Sequence, residues 1–387
     1  MVKLGDVCTI NPRLPKNANP EQEVTFLAMA AVSEKGEISS QETRILHETK
    51  KGFTYFERGD VLLAKITPCF ENGKATLTNN LNTQIGFGST EFHVLRAFPD
   101  LILPEFIFYL VWNERFRIAA AKEMTGSAGQ KRVSTDYLKE YKFYLPSIFE
   151  QEKIVAALNK GYSIHRKRQQ AIKLADDFLR AKFLEMFGTP ANNIHRFPTG
   201  KIRDLVDSVN YGTSAKASID SGEYPILRMG NITYQGGWDF TDLKYLDLSV
   251  KEKDKFLVKE GDLLFNRTNS KELVGKTAVY EENRPMAFAG YLIRVRPNPI
   301  GNNYYISGYL NSIHGKITLM NMCKSIVGMA NINAQELQNI EILIPPKHLQ
   351  DEYEIIYKKI KRGLSIYDKS AMQLQLLASN LSNKYFM

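Results

Sequence analysis

The sequence contains few cysteines and no long apolar run. Cys8, Cys69 and Cys323 are widely scattered and form no CxxC pair, so neither a disulfide framework nor a zinc site is expected. The longest apolar stretch, LILPEFIFYLVW at 101–112, is interrupted by a proline and a glutamate and is too short to span a bilayer. The first residues, MVKLGDVCTINP, include no apolar signal-peptide core. These absences predict a soluble cytoplasmic protein without a membrane segment.

Motifs for catalysis and for cofactor binding are also missing. The segment GFGS at 86–89 lacks the spacing of a dinucleotide-binding loop or a P-loop, and the six histidines show no metal-ligand spacing. Asp60 and Asp262 each follow a glycine at the start of a β-like run, where a turn or capping role is favoured over catalysis. The sequence therefore predicts a non-enzymatic protein that holds no metal and no cofactor.

Basic residues exceed acidic ones, with a formal net charge of +9 and a pI of about 9.1. This balance is typical of proteins with a polyanionic partner such as DNA or RNA. Most of the excess lies in two connecting segments described below, so any nucleic-acid binding by the rest of the chain must use local patches. Composition alone leaves an ordinary basic protein without such a partner equally open.

A duplication with a period of about 200 residues dominates the sequence. ERGDVLLAKI at 57–66 matches KEGDLLFNRT at 259–268, and LKEYKFYLP at 138–146 matches LQNIEILIP at 337–345. The period is too long for a solenoid repeat and indicates two copies of a complete domain. In each copy, short β-like runs are separated by Gly, Pro and Asn, and one longer stretch has helical spacing. The predicted helices cover 104–124 and 304–322, and the fold class is α+β with two similar mixed domains.

Each copy is followed by a long helical connector, at 150–187 and 350–387. Apolar residues alternate there at spacings of four and three, as in a coiled coil, and 38 residues would give a helix of roughly 57 Å. We expect the two helices to pack antiparallel, with the domains related by a pseudo-twofold axis. Two separate helices, each packed on its own domain, are the alternative. The seam residues chosen for the paired arrangement are Ile154, Leu158, Ile172, Leu179, Ile356, Ile360, Leu374 and Leu377.

Two loops in each copy have the composition of a binding surface. The first pair, 64–74 and 266–276, is polar and ends in Gly-Lys; the second pair is 124–134 and 325–333. Asn266, Arg267, Asn269 and Lys271 are residue types that bond base edges and phosphates. Small residues in the second pair allow close backbone approach, and the Gln130–Arg132 cluster supplies donors. At any single position, an ordinary solvated loop remains the alternative.

These features resemble the specificity (S) subunit of type I restriction-modification systems. The resemblance covers the whole chain as domain, long helix, domain and long helix. It is carried by ERGDVLLAKITPCFENGK, GSAGQKRVSTDYLKEYKFYLPS and EQEKI in the first copy, and by LRMGNI, KEGDLLFNRTNS and ANINAQELQNIEILIPP in the second. One departure is GMAN at 328–331, where the first copy has GQKR. The predicted boundaries are 1–149 and 190–346 for two target-recognition domains, and 150–189 and 347–387 for two spacer helices.

The resemblance implies that each domain reads half of a bipartite, asymmetric double-stranded DNA target, while the helices set the spacing. It implies docking of two modification (methyltransferase) subunits and of restriction (translocase/nuclease) subunits, which would carry S-adenosylmethionine and ATP. A specificity subunit of a methylation-only or fused restriction system, or a coiled-coil adaptor that reads no DNA, are the alternatives. The candidate DNA-contacting residues are Lys65, Thr67, Asn72, Lys74, Ser127, Gly129, Gln130, Lys131, Arg132, Arg228, Asn231, Asn266, Arg267, Thr268, Asn269, Ser270, Lys276, Asn331 and Asn333.

Overall fold

The duplication in the sequence corresponds to two structural units in a computed structural model of the chain. The first unit comprises Met1–Lys167 and Lys369–Met387, and the second Arg168–Asp368. The structure describes every residue except Ala128, Lys271, Glu272, Val327, Gly328 and Met387; among the described residues, the side chains of 324–329, 366–379 and 381–384 are not described.

Two four-stranded sheets form the first unit. Its strands are β1 (Val2–Lys3), β2 (Cys8–Ile10), β3 (Glu23–Leu27), β4 (Glu42–Ile45), β5 (Thr54–Glu57), β6 (Val61–Ala64), β7 (Ala75–Leu77), β8 (Ile85–Gly88), β9 (Phe92–Ala97) and β10 (Lys142–Phe143). Its helices are α1 (Leu46–Thr49), α2 (Pro104–Trp112), α3 (Glu114–Lys122), α4 (Thr135–Glu140) and the first part of α5 (Ile148–Phe187). One sheet has the antiparallel order β2-β9-β6-β7; the other has the order β4-β3-β8-β5, with β3 and β8 parallel. A small β1-β10 pair closes the unit.

The second unit repeats this scheme. Its strands are β11 (Thr199–Lys201), β12 (Val206–Tyr211), β13 (Tyr224–Leu227), β14 (Lys244–Leu246), β15 (Leu257–Val258), β16 (Leu263–Asn266), β17 (Thr268–Asn269), β18 (Thr277–Val279), β19 (Met286–Phe288), β20 (Leu292–Pro297), β21 (Lys324–Ile326), β22 (Met329–Asn331) and β23 (Glu341–Leu343). Its helices are the end of α5, α6 (Val250–Phe256), α7 (Asn303–Asn311), α8 (Ile313–Met322), α9 (Ala334–Gln338) and α10 (Lys347–Tyr385), the last of which continues into the first unit. The sheets β12-β20-β16-β18, β14-β13-β19-β15 and β11-β23 match those of the first unit, and β17-β22-β21 is an addition. The prediction of two similar α+β domains is confirmed.

The prediction of one continuous helix in each copy is wrong, because each of these segments forms two helices. Asn113 separates α2 from α3, and Ser312 separates α7 from α8. Both residues have extended backbone angles, and both side chains accept a hydrogen bond from the first turn of the second helix, from Arg115 N and Gly315 N respectively. A polar N-cap therefore starts a new helix at the corresponding point of each copy.

A buried glutamine ties the start of each long helix to its own unit. Gln151 Nε2 donates to Leu101 O at 3.0 Å and to Pro146 O at 2.9 Å. Gln350 Nε2 donates to Ile300 O at 3.0 Å and to Pro345 O at 2.8 Å. Both glutamines are fully buried, so the beginning of each helix is fixed rigidly to the globular part of its unit.

The long helices run antiparallel where they meet in the second unit. Phe187, at the end of α5, packs 5.9 Å from Tyr353 near the start of α10, and Asp176 pairs with Lys361 at 2.9 Å further along both helices. The seam candidates Ile154, Leu158 and Leu179 are buried. Ile172, Ile356 and Ile360 are partly buried, and the side chains of Leu374 and Leu377 lie outside the described part of the chain. Within the described part of the chain, no helix combines the length and apolarity needed to cross a membrane.

Candidate nucleic-acid interface

The two predicted loops of the first unit lie side by side. Thr67 N donates to Lys131 O at 3.0 Å, and Val133 N donates to Lys65 O at 2.9 Å. Ile66 and Arg132 form an isolated antiparallel bridge between these bonds. Residues 65–67 and 131–133, which we call the first paired-loop edge, thus join two segments that are distant in sequence.

The corresponding loops of the second unit pair at the same place. Thr268 and Asn269 of β17 face Asn331 and Ala330 of β22 in antiparallel register, and Ile332 N donates to Arg267 O at 2.9 Å. Residues 267–269 and 330–332 form the second paired-loop edge. Loop pairing therefore recurs in both copies, with different side chains.

A third segment, which the sequence did not point to, adjoins both edges. Lys65 N donates to Glu91 O at 2.9 Å, and Arg267 N donates to Tyr291 O at 3.1 Å. Glu91 and Tyr291 each immediately precede the long strand of their unit, β9 or β20. The equivalent bonds place a carboxylate beside the first edge and a phenol ring beside the second.

Arg132 is held within the first unit by Glu91. Its Nε lies 3.0 Å from Glu91 Oε2, its Nη2 lies 2.8 Å from Glu91 Oε1, and its Nη1 donates to Gln130 O at 2.9 Å. Hydrogen bonding from the guanidinium lowers the pKa of the Glu91 carboxyl, so the pair stays ionised at neutral pH. Because every nitrogen of Arg132 has a protein partner, this side chain organises the edge. Ser127, Gly129, Gln130 and Lys131 beside it are exposed.

Several other first-unit candidates form hydrogen bonds with residues of their own unit. Thr67 Oγ1 donates to Glu71 Oε1 at 2.7 Å, and Asn72 Nδ2 donates to Glu34 Oε1 at 2.9 Å. Lys74 Nζ donates to Met29 O at 3.3 Å. Lys65 is partly exposed at the edge itself. Among these four residues, the position of Lys65 is therefore the most direct for contact with an external ligand.

Arg267 is the cation of the second edge, and it is preorganised by an aromatic ring. Its guanidinium carbon lies 4.8 Å from the centroid of Tyr211, and the Tyr211 hydroxyl accepts a hydrogen bond from Ala334 N at 2.9 Å. Arg267 Nε is buried without a hydrogen-bond partner in the described structure. Cation–π stacking restricts the orientation of the guanidinium plane.

Thr268, Asn269 and Ser270 are partly exposed along the same edge, and Asn331 is exposed. Thr268 Oγ1 and Asn331 Oδ1 lie 3.4 Å apart across the paired strands. Lys271, which the loop composition also selected, lies outside the described residues. The second edge thus presents hydroxyl and amide groups next to Arg267, a set suited to both base edges and phosphates.

Other second-unit candidates serve the fold in this structure. Asn231 is buried; its Nδ2 donates to Asp239 O and Asp242 O, and its Oδ1 accepts from Arg228 N. Arg228 Nη2 pairs with the Asp242 carboxylate at 2.9 Å. Asn333 caps α9 by accepting from Glu336 N at 2.9 Å.

Asn266 and Lys276 are also buried, and burial lowers the pKa of Lys276. Together with Asn231, they are withdrawn from the surface on which direct base contact was expected. The polarity of a loop sequence does not distinguish side chains that are buried within the fold from those that face solvent.

The repeated aspartates have the turn role that their position predicted. Asp60 Oδ2 accepts from Glu57 N at 2.7 Å, and Asp262 Oδ2 accepts from Lys259 N at 3.0 Å. Each also receives a bidentate arginine, Arg96 for Asp60 and Arg296 for Asp262, with nitrogen–oxygen distances of 2.8–3.1 Å. The buried carboxylate links the turn to the long strand in both units. Among the residues that the structure describes, no group of three or more His, Cys, Asp or Glu is arranged to hold a metal ion.

Comparison with known proteins places the chain in a family. Residues 1–174 and 196–377 match the family described as the type I restriction modification DNA specificity domain. The chain belongs to this family, with one match in each half. The resemblance seen in the sequence is therefore confirmed, and with it the class of a specificity component rather than a catalytic one.

Two curated relatives from Escherichia coli and one solved structure are similar to the chain. The type I restriction enzyme EcoAI specificity subunit is 31% identical over 268 residues, covering 67% of this chain and 45% of the relative. The EcoEI specificity subunit is 32% identical over 270 residues, covering 68% and 45%. The matched region thus spans less than half the length of these relatives. The S subunit of a type I restriction-modification system from M. genitalium has the same fold, with a TM-score of 0.61, 14% identity and coverage of 100% of this chain and 95% of that chain.

Proposed function

We propose that this chain is the DNA-sequence specificity subunit of a type I restriction-modification enzyme and that each unit reads one half of a bipartite target. The observation that carries the proposal is the paired-loop edge, which recurs in both units with different side chains. Family membership supports the specificity role. The geometry supports the two edges as the reading surfaces, because exposed donors there are fixed by backbone pairing.

The two edges offer different chemistry for base reading. The first edge contains Lys131, with Gln130 and the Glu91 carboxylate next to it, whereas the second contains Arg267 and Asn269 with neighbouring hydroxyls. Arginine suits the O6 and N7 acceptors of guanine, and a carboxylate accepts from the amino group of cytosine. A target read by two unlike edges is asymmetric, in contrast to the palindrome read by a symmetric dimer.

The chemistry of methylation and cleavage belongs to partners in this proposal. Two modification subunits supply S-adenosylmethionine-dependent methylation, and restriction subunits supply ATP-driven translocation and cleavage. The assembly acts on double-stranded DNA in the cytoplasm. Accordingly, the rigorously purified single chain should transfer no methyl group and should cut no DNA, and methyl transfer by that chain would contradict the proposal.

Mapping methylated bases tests the proposal directly. Host DNA is sequenced for methylation with the wild-type chain, without it, and with residues 1–146 replaced by the corresponding domain of a relative. We expect a bipartite motif that depends on the chain and of which only one half changes in the exchange. A motif that does not depend on the chain would favour an adaptor that reads no DNA, and a change in both halves would contradict independent reading.

A further inference from the structure

In the second unit, Arg180 and Lys276 lie near enough to Lys316 for their charges to act on its amine, and of the three only Lys276 belongs to the predicted contact set. Arg180 lies on α5, Lys276 just before β18, and Lys316 on α8. Lys316 Nζ is buried and has no hydrogen-bond partner in the described structure. It lies 5.0 Å from the centroid of the Tyr234 ring. Burial and then the positive charges of Arg180 and Lys276 lower the pKa of Lys316 to about 8.

Of the three basic residues, Arg180 lines a cavity of about 680 Å³. Arg180 and Tyr234 border it, together with Thr233, Gln235 and Trp238. It also adjoins carboxylates, two of which already have partners. Asp176 pairs with Lys361 at 2.9 Å, and Glu281 accepts a hydrogen bond from Tyr304 at 3.1 Å.

The remaining charged groups at the cavity are Lys173 and Asp177, both exposed. No ion pair between Lys316 and a carboxylate is found in the described part of the chain. Lys316 therefore has no counter-ion of its own among the described residues.

Gathering buried cations without a counter-charge is unfavourable, because burial and like charges both penalise the ionised amine. A bound anion removes the penalty and satisfies the unpaired Nζ. We propose that Arg180, Lys276 and Lys316 form a binding site for a phosphate-type oxyanion, either a backbone phosphate of DNA or a free phosphate-like ion.

The backbone-phosphate source rests on the proposed function and deepens it. Lys276 O accepts a hydrogen bond from Asn266 N at 2.8 Å, and Asn266 is the residue before Arg267. The oxyanion site is thus attached to the second paired-loop edge through one backbone pairing. In this arrangement Lys276, whose side chain is withdrawn from the surface, contributes through charge at the site rather than through a base contact.

Binding of an anion at this site should be linked to proton uptake. A nearby negative charge raises the pKa of Lys316 from about 8, so the protonated amine is the form that binds. Affinity must then increase as the pH falls through this value. If only the protonated form binds, affinity at about pH 7 should exceed that at about pH 9 by about tenfold.

Sulfate is the suitable probe because it does not titrate in this range, so any proton linkage belongs to the protein. Calorimetric titration of the full chain with sodium sulfate, against sodium chloride at equal ionic strength, should show the tighter binding at the lower pH. Lys316→Met, which keeps most of the length of the side chain without its charge, should abolish both the binding and its pH dependence. Lys251→Met, at an exposed position on α6 of the same unit, is the matched control and should bind as the wild type does.

Two further measurements keep the test interpretable. Lys316→Met should unfold at the same temperature as the wild type or higher in sulfate-free buffer at about pH 7, because it removes a penalised charge. Arg180→Gln, at a partly exposed position, should weaken sulfate binding without altering the fold. The proposed site would be refuted if the wild-type chain bound sulfate no more tightly than chloride and Lys316→Met left DNA binding unchanged.

DNA binding by the assembled enzyme then separates the two sources of the anion. If the site holds a backbone phosphate, Lys316→Met should reduce the salt slope of DNA binding by about one unit without changing base preference. An unchanged slope, with sulfate binding lost, would assign the site to a free anion. Lys316-dependent sulfate binding by an enzyme that shows no sequence preference for DNA would refute the proposed function and leave the oxyanion site intact.

Discussion

Arg267 provides the sharpest test of base reading by the second edge. Replacing it with alanine removes a guanidinium that is stacked 4.8 Å from the centroid of Tyr211 and whose Nε has no hydrogen-bond partner in the described structure. A bidentate contact to a base contributes about 1–3 kcal/mol of discrimination. Stacking on Tyr211 stabilises this position of the guanidinium by about 0.5–1 kcal/mol, so the side chain loses little further conformational freedom when DNA binds. We expect Arg267→Ala to reduce preference for the proper base by roughly 5- to 150-fold.

The assay is competition binding of the assembled enzyme to its own target and to targets altered one base pair at a time. Arg267→Lys retains the charge but not the planar fork, so it should keep the salt dependence and lose most of the discrimination. Tyr211→Leu should reproduce part of the loss, because the guanidinium is then no longer held in one plane.

The equivalent position of the first unit supplies the matched control. Lys65 N donates to Glu91 O as Arg267 N donates to Tyr291 O, so Lys65→Ala perturbs the same point of the frame in the other copy. It should leave preference in the second half-site intact. Unchanged second-half-site preference in Arg267→Ala, with unfolding temperature retained, would refute base reading by Arg267.

Three further predictions concern the first edge and the connecting helix. Glu91→Gln should cost about 1 kcal/mol of stability or less, because the ion pair with Arg132 is partly exposed. It should also change base preference in the first half-site. Unfolding in denaturant measures the effect on stability, and competition binding with altered first half-sites measures the effect on preference. Unchanged preference would show that Glu91 does not contribute to base reading. Lys131→Ala should weaken binding to all sequences alike and reduce the salt slope by about one unit if the lysine holds a phosphate; a sequence-dependent loss would indicate base contact instead. Inserting four residues into 165–175 should add about 6 Å of helix, which is near the length of two base pairs at about 3.4 Å each. Methylation mapping should then show a longer gap between unchanged half-sites. An unchanged gap with full activity would contradict a spacing role for the helix.

The sequence was sufficient for the duplication and for the loops that meet at each edge. The offset of about 200 residues between the copies pairs the loops correctly, because residues that repeat in one frame occupy equivalent places in a duplicated fold. The breaks at Asn113 and Ser312 were also accessible, since both are preferred N-cap residue types inside an otherwise helical run. Apolar spacing alone had suggested one continuous helix.

The third segment that adjoins each edge could not be predicted from the sequence. Glu91 and Tyr291 reach their edges through backbone hydrogen bonds between segments more than 20 residues apart, with Lys65 N and Arg267 N as the respective donors, and no local pattern records that pairing. Composition also does not show that the Asn231 side chain forms three hydrogen bonds within its own loop. Burial, which separates structural from available donors, is a property of the assembled sheets.

The two copies share their scaffold and differ at their edges, and this division supports unequal half-sites. The aspartate–arginine pair of the scaffold recurs with nearly identical geometry in both units, because any change there would disturb the turn and the long strand together. At the edges, an ion pair between Glu91 and Arg132 in one unit is replaced by an arginine stacked on tyrosine in the other. Backbone pairing, which does not depend on the identity of the side chains, holds the loops together at each edge, so the side chains there can change without loss of the fold. Such an arrangement allows one half-site to diverge while the other is retained.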